Sequence, residues 1–437
     1  MVSATRRELE EIFRAALRAV DPAAAVARAV SPVGGRLRIA GALLPSGMRC
    51  VVVAAGKAAA PMAAAFTDCA GDRIRAGVAI TKDGHGRPLA RLALREAGHP
   101  LPDARSEAAG AEALALAASA RPDEALVVLL SGGASALLGC PQPGLDLAEL
   151  SETTALLLGA GADIDELNCI RKHLTRVSGG RLATGTPAGV VIVLAISDVP
   201  GDDLATLASG PCAADATTFA DAIGVLRRRG VLERAPARVR RHLEAGAAGD
   251  RDESVKPGDP ALARVRSALL ASNRDALGAA RVAARARGLE PLVVTARLRG
   301  EARVAGQRLA VLARSLPSGP PRLLLAGGET TVTVRGHGRG GRAQELALAA
   351  ALELAEDARV ALLAAGTDGS DGPTAAAGAY ADGGTLARGA AAGVDAGRAL
   401  ADNDAHGFFT REGGCFVTGP TGTNVMDLVL VRVADGP

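Results

Sequence analysis

Three runs in the first half, "VVVAAGKAAAPMAAAF", "LVVLLSGGASALL" and "VVIVLAISDVPGDD", constrain the fold more than anything else in the chain. Each begins as a short, β-branched, non-alternating stretch, which suits a strand buried on both faces. Each then breaks at glycine or a polar residue, and the first two pass directly into helical composition. Strands alternating with helices in this way predict a doubly wound parallel sheet. Helices are expected over 104–120, 146–161 and 167–183, and further strands over 76–81 and 189–197. Later in the chain, "SALLASN" and "EPLVVTARL" read as strands around the helix "RDALGAARVAARARG". Then come a strand "RLLLAGGETTVTV", a helix over 343–355, a strand from 359 and a last strand over 427–433.

The 437 residues are too many for one compact core. The polar, unpatterned stretch 243–260 is the best linker. The expectation is therefore an α/β chain of two domains. A Rossmann-like, doubly wound parallel-sheet domain would occupy 1–245. A smaller mixed α/β domain would occupy 246–437, with a core from about 321 to 437.

Composition excludes some functions. A net charge of +3 makes no electrostatic case for nucleic acid or an acidic membrane surface. Aromatics at 2% leave little for base stacking. No apolar run is long enough for a membrane span, and the first residues read as a charged amphipathic helix, capped by Ser3, rather than a signal peptide. The six scattered cysteines form no CxxC pair and suit a reduced, cytoplasmic setting. The histidines lack metal-ligand spacing, and no Walker P-loop, GxSxG or HExxH is present.

The chemistry-bearing residues cluster just past strand ends, where open α/β sheets bind ligands. Lys57 follows the first strand at a helix start, where a cation is unfavourable without an anion. Ser131, Gly132, Gly133 and Ser135 offer hydroxyls and N–H groups suited to phosphate. In "LNCIRKHLTRVSGGRLA", Asn168, Arg171, Lys172 and Arg176 would share one helical face of a single sign. Asp198 ends a strand and suits Mg²⁺ or a proton, while Asp202 and Asp203 would cap a helix beginning at Leu204. Gly327, Gly328, Glu329 and Thr330 form another donor-rich turn. In "VRGHGRGGRAQE", Gly340 and Gly341 would let backbone N–H groups approach an anion beside Arg342. Asp368 lies in "AAGTDGSDGPTAAAGA" with Thr367, Ser370 and Asp371. The bland readings of the same stretches are ordinary turns, Asx turns and a solvated basic face.

Together "AAGKAA", "LLSGGASALL", "LNCIRKHLTRVSGGRLA", "ISDVPGDDLATLASGP", "GGETTVTVRGHGRGGRAQELAL", "AAGTDGSDGPTAAAGA" and "GPTGTNVMDLVL" resemble the glycerate 2-kinase family, whose C-terminal domain is known as MOFRL. The resemblance runs over nearly the whole chain. It implies ATP-dependent phosphorylation of D-glycerate at its 2-hydroxyl, giving 2-phosphoglycerate and ADP, with Mg²⁺ and an active site in the cleft between the domains. It implies that Lys57, Asp198, Arg342 and Asp368 are active-site residues. The expected roles are catalysis by Lys57, Asp198 and Arg342, and metal binding by Asp198 and Asp368. Nucleotide binding is expected from Ser131, Gly132, Gly133, Ser135, Gly327, Gly328, Glu329 and Thr330. Substrate binding is expected from Arg171, Lys172, Gly340 and Gly341. The partners are D-glycerate and ATP, with no nucleic acid or membrane, and a homodimer is compatible with the pattern. Three positions depart from the family: Ser178 for Lys, Ala343 for Asn and Ala375 for Asp. All three are expected to remove a polar group near the cleft. The alternatives are a kinase for a related hydroxy acid, a non-catalytic binder of sugar acids or phosphosugars, and a hydroxypyruvate reductase. The last needs an early GxGxxG, which "VVVAAGKAAAPM" lacks.

Overall fold

The computed structural model describes residues 4–434, so the expected cap at Ser3 lies outside the described residues. Contacts divide the chain into two compact units: Pro22–Ser197 with Asp202–Leu270, and the residues up to Asp21 with Asp198–Gly201 and the chain from Ala271 on.

The first unit contains the expected doubly wound sheet. Its strands lie in the order Ala93–Ala97, Ile74–Lys82, Cys50–Ala55, Ala125–Leu130, Val190–Ile196 and Val265–Ala271. The first five pair in parallel. Every residue of Cys50–Ala55 and Ala125–Leu130 is buried, which is why these runs carry no alternation. From the central strand Cys50–Ala55 the chain winds outward one way. It then returns to Ala125–Leu130 on the other side and continues outward. The strand order therefore reverses between these two neighbours, and the loops after them, 56–58 and 131–133, flank the switch point where such sheets bind ligands.

A helical layer belongs to the same unit. Leu150, Leu157, Ile170, Phe219, Leu226 and Leu243 share one apolar cluster. A small antiparallel sheet, Val30–Val33, Arg36–Ile39 and Ala42–Leu43, was not expected from sequence. Its strands are too short to carry a pattern.

The second unit is built on a mixed sheet. Its strands follow the order Glu290–Leu298, Arg322–Gly328, Asp427–Val433, Val360–Gly366, Gly378–Asp382, Cys415–Phe416. The first pair is parallel and the others antiparallel. Helices Ala302–Ser315 and Arg342–Glu353 cover one face through a core that includes Leu309, Leu324, Leu346, Leu362 and Val431.

Several expectations shift. Helix Ala4–Ala19 packs on helix Asn273–Arg285, and Glu8 pairs with Arg432 at 2.7 Å. The N-terminal helix thus joins the C-terminal unit rather than a domain 1–245. The expected linker is anchored instead: Ser254 Oγ donates to Asp215 at 2.7 Å and Val255 N to Gly179 O at 3.0 Å. The units divide at 270/271. The helix expected over 167–183 ends at Leu174, where Thr175 turns extended (φ −119°, ψ 150°), and resumes only as Arg181–Thr184, after Gly179 and Gly180 at φ of +60° and +82°. Arg176 therefore leaves the shared face. No α-helix starts at Leu204. Asp203 instead caps a turn, accepting from Ala205 N at 3.0 Å and Thr206 Oγ1 at 2.9 Å.

Two helical glycines give opposite predictions. A Cβ on Gly306 would lie 2.1 Å from the Leu346 carbonyl oxygen, whereas one on Gly278 meets nothing within 4 Å. Gly306→Ala should destabilise by about 1–3 kcal/mol through overpacking. Gly278→Ala should stabilise by roughly 0.5–1 kcal/mol through helix propensity. Urea unfolding of the two variants checks the signs.

Candidate active site

In the first unit the two switch-point loops lock together. Ser131 N donates to Ala55 O at 3.0 Å, Lys57 N to Gly132 O at 2.9 Å, and Ala58 N to the Ser131 hydroxyl at 3.0 Å. A Cβ on Gly56, whose φ is +123°, would meet the Ser131 hydroxyl at 2.2 Å. Ser131 is fully buried. Its hydroxyl joins the loops and is not presented to a phosphate. The helix after it, Ala134–Leu137, has only four residues, too short for a strong N-terminal dipole. Lys57 in the first loop is half-buried. A Cβ on Gly133, whose φ is +86°, would lie 2.9 Å from His99 Nε2 and 3.5 Å from Lys57 Cγ. An imidazole and a lysine stem thus flank one glycine at the switch point. Sequence reading missed His99, because nothing in its spacing ties it to Lys57.

The basic helix face resolves into unlike residues. Lys172 is buried and pairs with Asp215 at 3.2 Å. Asp215 is fully buried and also accepts from Ser254 Oγ and from Thr217 Oγ1 at 2.8 Å. Burial raises the Asp215 pKa, but these donors and Lys172 outweigh it and hold the carboxyl below its usual range. Lys172 is thus a structural ion pair, not a substrate ligand. Asn168 is equally committed, accepting from Ser209 Oγ at 2.7 Å and donating to Thr206 O at 3.1 Å. Arg171 differs. Burial alone pushes its pKa below the usual range, and its guanidinium has no ion pair or hydrogen bond among the described residues. A desolvated cation without a carboxylate suits an incoming anion. Ser178, one of the three expected departures, is buried and accepts from Thr175 Oγ1 at 2.8 Å.

In the second unit the Gly/Arg-rich loop has its back to its own chain. Arg335 N and Gly336 N donate to Asn403 Oδ1 at 2.7 and 3.0 Å. His337 N donates to Asp402 Oδ1, Gly338 N to Asp402 O, and Arg339 N to Asp404 Oδ1. Five consecutive N–H groups are thus satisfied by the turn 402–404. A Cβ on Gly336, Gly338 or Gly341 would strike Asp402, Asp404 or Asp371 at 2.3 Å. These glycines permit close packing, and Gly341 does not open toward an anion. The same holds for the turn 327–330. Gly327 and Gly328 pair with Leu428 and Asp427 inside the sheet. A Cβ on Gly327 would meet Asn273 Oδ1 at 1.9 Å. Glu329 N donates to Leu298 O at 2.9 Å, and Thr330 is buried.

Arg342 stands at the first turn of its helix, held by two carboxylates. Its Nε and Nη2 donate to Asp427 at 2.6 and 3.0 Å, and Nη1 donates to Glu329. Burial lowers its pKa, but Asp427 and Glu329 outweigh that and raise it. Beside it, Asp371 caps the helix from outside, accepting from Ala343 N at 3.0 Å, Gln344 N at 2.8 Å and Gln344 Nε2 at 2.9 Å. Burial, followed by the Asp427 charge, pushes the Asp371 carboxyl up to about 6. The Ala343 side chain is buried in the apolar core, so its departure removes no polar group from this surface. Ala375 is exposed.

Asp368 Oδ1 accepts from Ser370 N at 3.0 Å and Ser370 Oγ at 3.1 Å, which is the Asx-turn reading. A Cβ on Gly366 would lie 3.4 Å from both Asp368 Oδ1 and Asp427 Oδ1, so these carboxylates flank one glycine. Asp198 accepts from Asn424 Nδ2 at 2.9 Å. Among the described residues no group of three or more His, Cys, Asp or Glu side chains is placed to hold a metal ion.

The first unit thus carries a switch-point lysine and a desolvated arginine, and the second a carboxylate-held arginine, each a class of group that suits a small anion. Comparison with known proteins narrows the class. A family model described as Domain of unknown function (DUF4147) matches residues 8–244, and the MOFRL family model matches 322–427. The chain is 40% identical over 424 residues to the Glycerate 2-kinase of Pyrococcus horikoshii, covering 96% of this chain and 95% of that protein. It is 39% identical over 388 residues to the D-glycerate 2-kinase of Thermotoga maritima, covering 87% and 90%. The crystal structure of the Thermotoga maritima glycerate kinase superposes with a TM-score of 0.82 at 36% identity, covering 98% of this chain and 99% of that one. The chain belongs to the DUF4147–MOFRL family of glycerate 2-kinases.

Two measurements separate these roles. Lys172→Met should cost about 3–5 kcal/mol of stability by stranding Asp215, whereas Arg171→Ala should leave the urea midpoint unchanged or raised. For Asp371, the folded pKa of about 6 lies above the ordinary 3.8. Its contribution is fully present below the lower value and is lost as pH rises through the higher one. The stability difference between wild type and Asp371→Asn should change over that window and flatten above it.

Proposed function

We propose that this enzyme transfers the γ-phosphoryl group of ATP to the 2-hydroxyl of D-glycerate, giving 2-phosphoglycerate and ADP. The structural observation that carries the reading is Arg171, a desolvated guanidinium with no protein counter-charge. It suits a carboxylate or phosphate, and the relatives named as glycerate 2-kinases act on a substrate with that group.

A kinase of this kind must bring two anions together, offset their repulsion and align the transfer in line. In this reading Lys57 supplies a compact charge at the switch point, with His99 beside it. Arg171 takes the substrate carboxylate. Arg342, held by Asp427 and Glu329, offers its charge to the developing phosphoryl without reorganising at the moment of transfer. Asp198 takes the proton of the attacking 2-hydroxyl. Mg²⁺ typically keeps one or two carboxylates besides substrate phosphates, so it would enter with the nucleotide, and Asp368 would add one carboxylate. Of the nucleotide-binding groups expected from sequence, Ser135 and the backbone of Gly133 remain. Gly340 remains as a substrate contact.

The setting proposed is the cytoplasm, given six unbridged cysteines. No helix among the described residues is long and apolar enough to cross a membrane. Pairing of two copies belongs to the same proposal. Two relatives from Agrobacterium vitis, 39% identical, carry the provisional name hydroxypyruvate reductase. That activity would need a dinucleotide fingerprint, which the loop after Cys50–Ala55 does not have.

A coupled ADP-release assay with D-glycerate and MgATP decides among these. Glycerate-dependent ADP release is expected. Lys57→Ala and Arg342→Ala should each lower turnover by well over tenfold, about 2–4 kcal/mol of transition-state stabilisation, with native circular dichroism. Binding of D-glycerate without turnover would make the protein a binder. NADH oxidation with hydroxypyruvate in the absence of ATP would make it a reductase.

A further inference from the structure

Helix Arg342–Glu353 is buried on every side, with each residue from Ala343 to Ala351 inside. A helix with an exposed polar stripe has its rotation set by that stripe. This one has alanine and leucine on most faces, so apolar packing alone does not say which way Arg342 should point. Two polar side chains inside the first turn carry that information. Gln344 is 0% exposed and Glu345 2%. Successive helical residues are about 100° apart around the axis, so Arg342, Gln344 and Glu345 leave the helix in three directions, Gln344 on the side away from Arg342.

Gln344 uses its whole amide. Its Nε2 donates to Asp371 Oδ2 at 2.9 Å and to Thr374 Oγ1 at 3.1 Å, and its Oε1 lies 2.9 Å from His406 Nδ1. The orientation follows from the partners. An ionised Asp371 only accepts, and Thr374 spends its own hydroxyl hydrogen on Asp371 O at 2.8 Å. Oε1 must therefore accept, and His406 carries a hydrogen on Nδ1. His406 is tied in turn, its N donating to Arg339 O at 2.9 Å. Glu345 is fixed separately, accepting from Arg303 Nε and Nη2 at 3.0 and 2.7 Å and from Asn403 Nδ2 at 2.9 Å.

We propose that Gln344 is a positioning residue for Arg342: its amide, held between Asp371 and His406, sets the rotation of the helix start and so the direction in which the guanidinium points. The consequence for turnover rests on the role proposed for Arg342 in phosphoryl transfer.

Two readouts test this, and the first needs no activity. The Arg342 Nε–H, bonded to Asp427 at 2.6 Å, gives a side-chain proton–nitrogen correlation signal, identified by its loss in Arg342→Ala. Gln344→Met should shift and broaden that signal while circular dichroism stays native. Gln344→Glu keeps the shape of the side chain but donates to Asp371 only while its new carboxyl is protonated. The difference between its signal and that of the wild type should close as pH falls from about 8 to about 5.5, since two adjacent carboxyls then share a proton. In turnover of D-glycerate, Gln344→Met should lower kcat roughly 10- to 100-fold with KM changed by less than about twofold, and Gln344→Glu should regain kcat over the same fall in pH. An Arg342 signal that both variants leave in place would overturn the proposal, and so would wild-type kcat in both variants of an active enzyme. A signal that moves while the wild-type enzyme shows no glycerate turnover would support the positioning and overturn the glycerate reading instead. If Gln344→Met does not fold, Gln344→Glu gives the result alone.

Discussion

Arg342 and its two carboxylates are the constraint around which the strand ends and the first helix turn of the second unit's proposed site are arranged. A guanidinium at the first turn of a helix is placed against the helix dipole, and partial burial removes its water. Asp427 answers with both oxygens and Glu329 with one. To reach it, Asp427 must begin one central strand and Glu329 must directly follow its neighbour. That geometry requires Gly327 and Gly328 to pass where no Cβ fits. Asp371 then takes the N–H groups of the same helix start, and its carboxyl is pushed up by burial and, after it, by the Asp427 charge. One charge thus organises strand ends, a helix cap and a neighbouring pKa.

The fold was largely legible in the sequence, because strands buried on both faces leave unmistakable runs, and Cys50–Ala55, Ala125–Leu130 and Val190–Ile196 stand where those runs stand. The unit boundaries were not. Phe13 meets Phe416 ring to ring at 5.3 Å, and no local pattern announces a contact between the two ends of a chain. The proposed site residues Lys57, Arg171, Arg342, Asp198 and Asp368 were named by type and position alone. Their surroundings could not be, since Arg342 and Asp427 are 85 residues apart and His99 and Lys57 lie around Gly133, a residue of a third segment.

Glycine misled in one consistent way. A run of glycines beside arginines resembles an anion cradle, and backbone N–H groups do serve that purpose elsewhere. Here the concavity is filled from within. The turn Asp402–Asp404 takes the N–H groups of residues 335–339, and Asn403, at φ +54°, directs its amide oxygen at two of them. The loop is therefore rigid, with side chains outward. Lysine misled in a parallel way: of two adjacent basic residues on one helix, Lys172 is spent on Asp215 and Arg171 is not. Only burial and partner geometry separate them.

The central claim is that Asp427 serves the reaction through Arg342, as a positioning residue, and not by contacting substrate. A double-mutant cycle on kcat/KM for D-glycerate tests it, comparing Arg342→Ala, Asp427→Asn and the pair. If Asp427 acts only by holding the guanidinium, the double variant should be no slower than Arg342→Ala alone. Losses that multiply in the double variant would contradict the account, because Asp427 would then act on the reaction independently of Arg342.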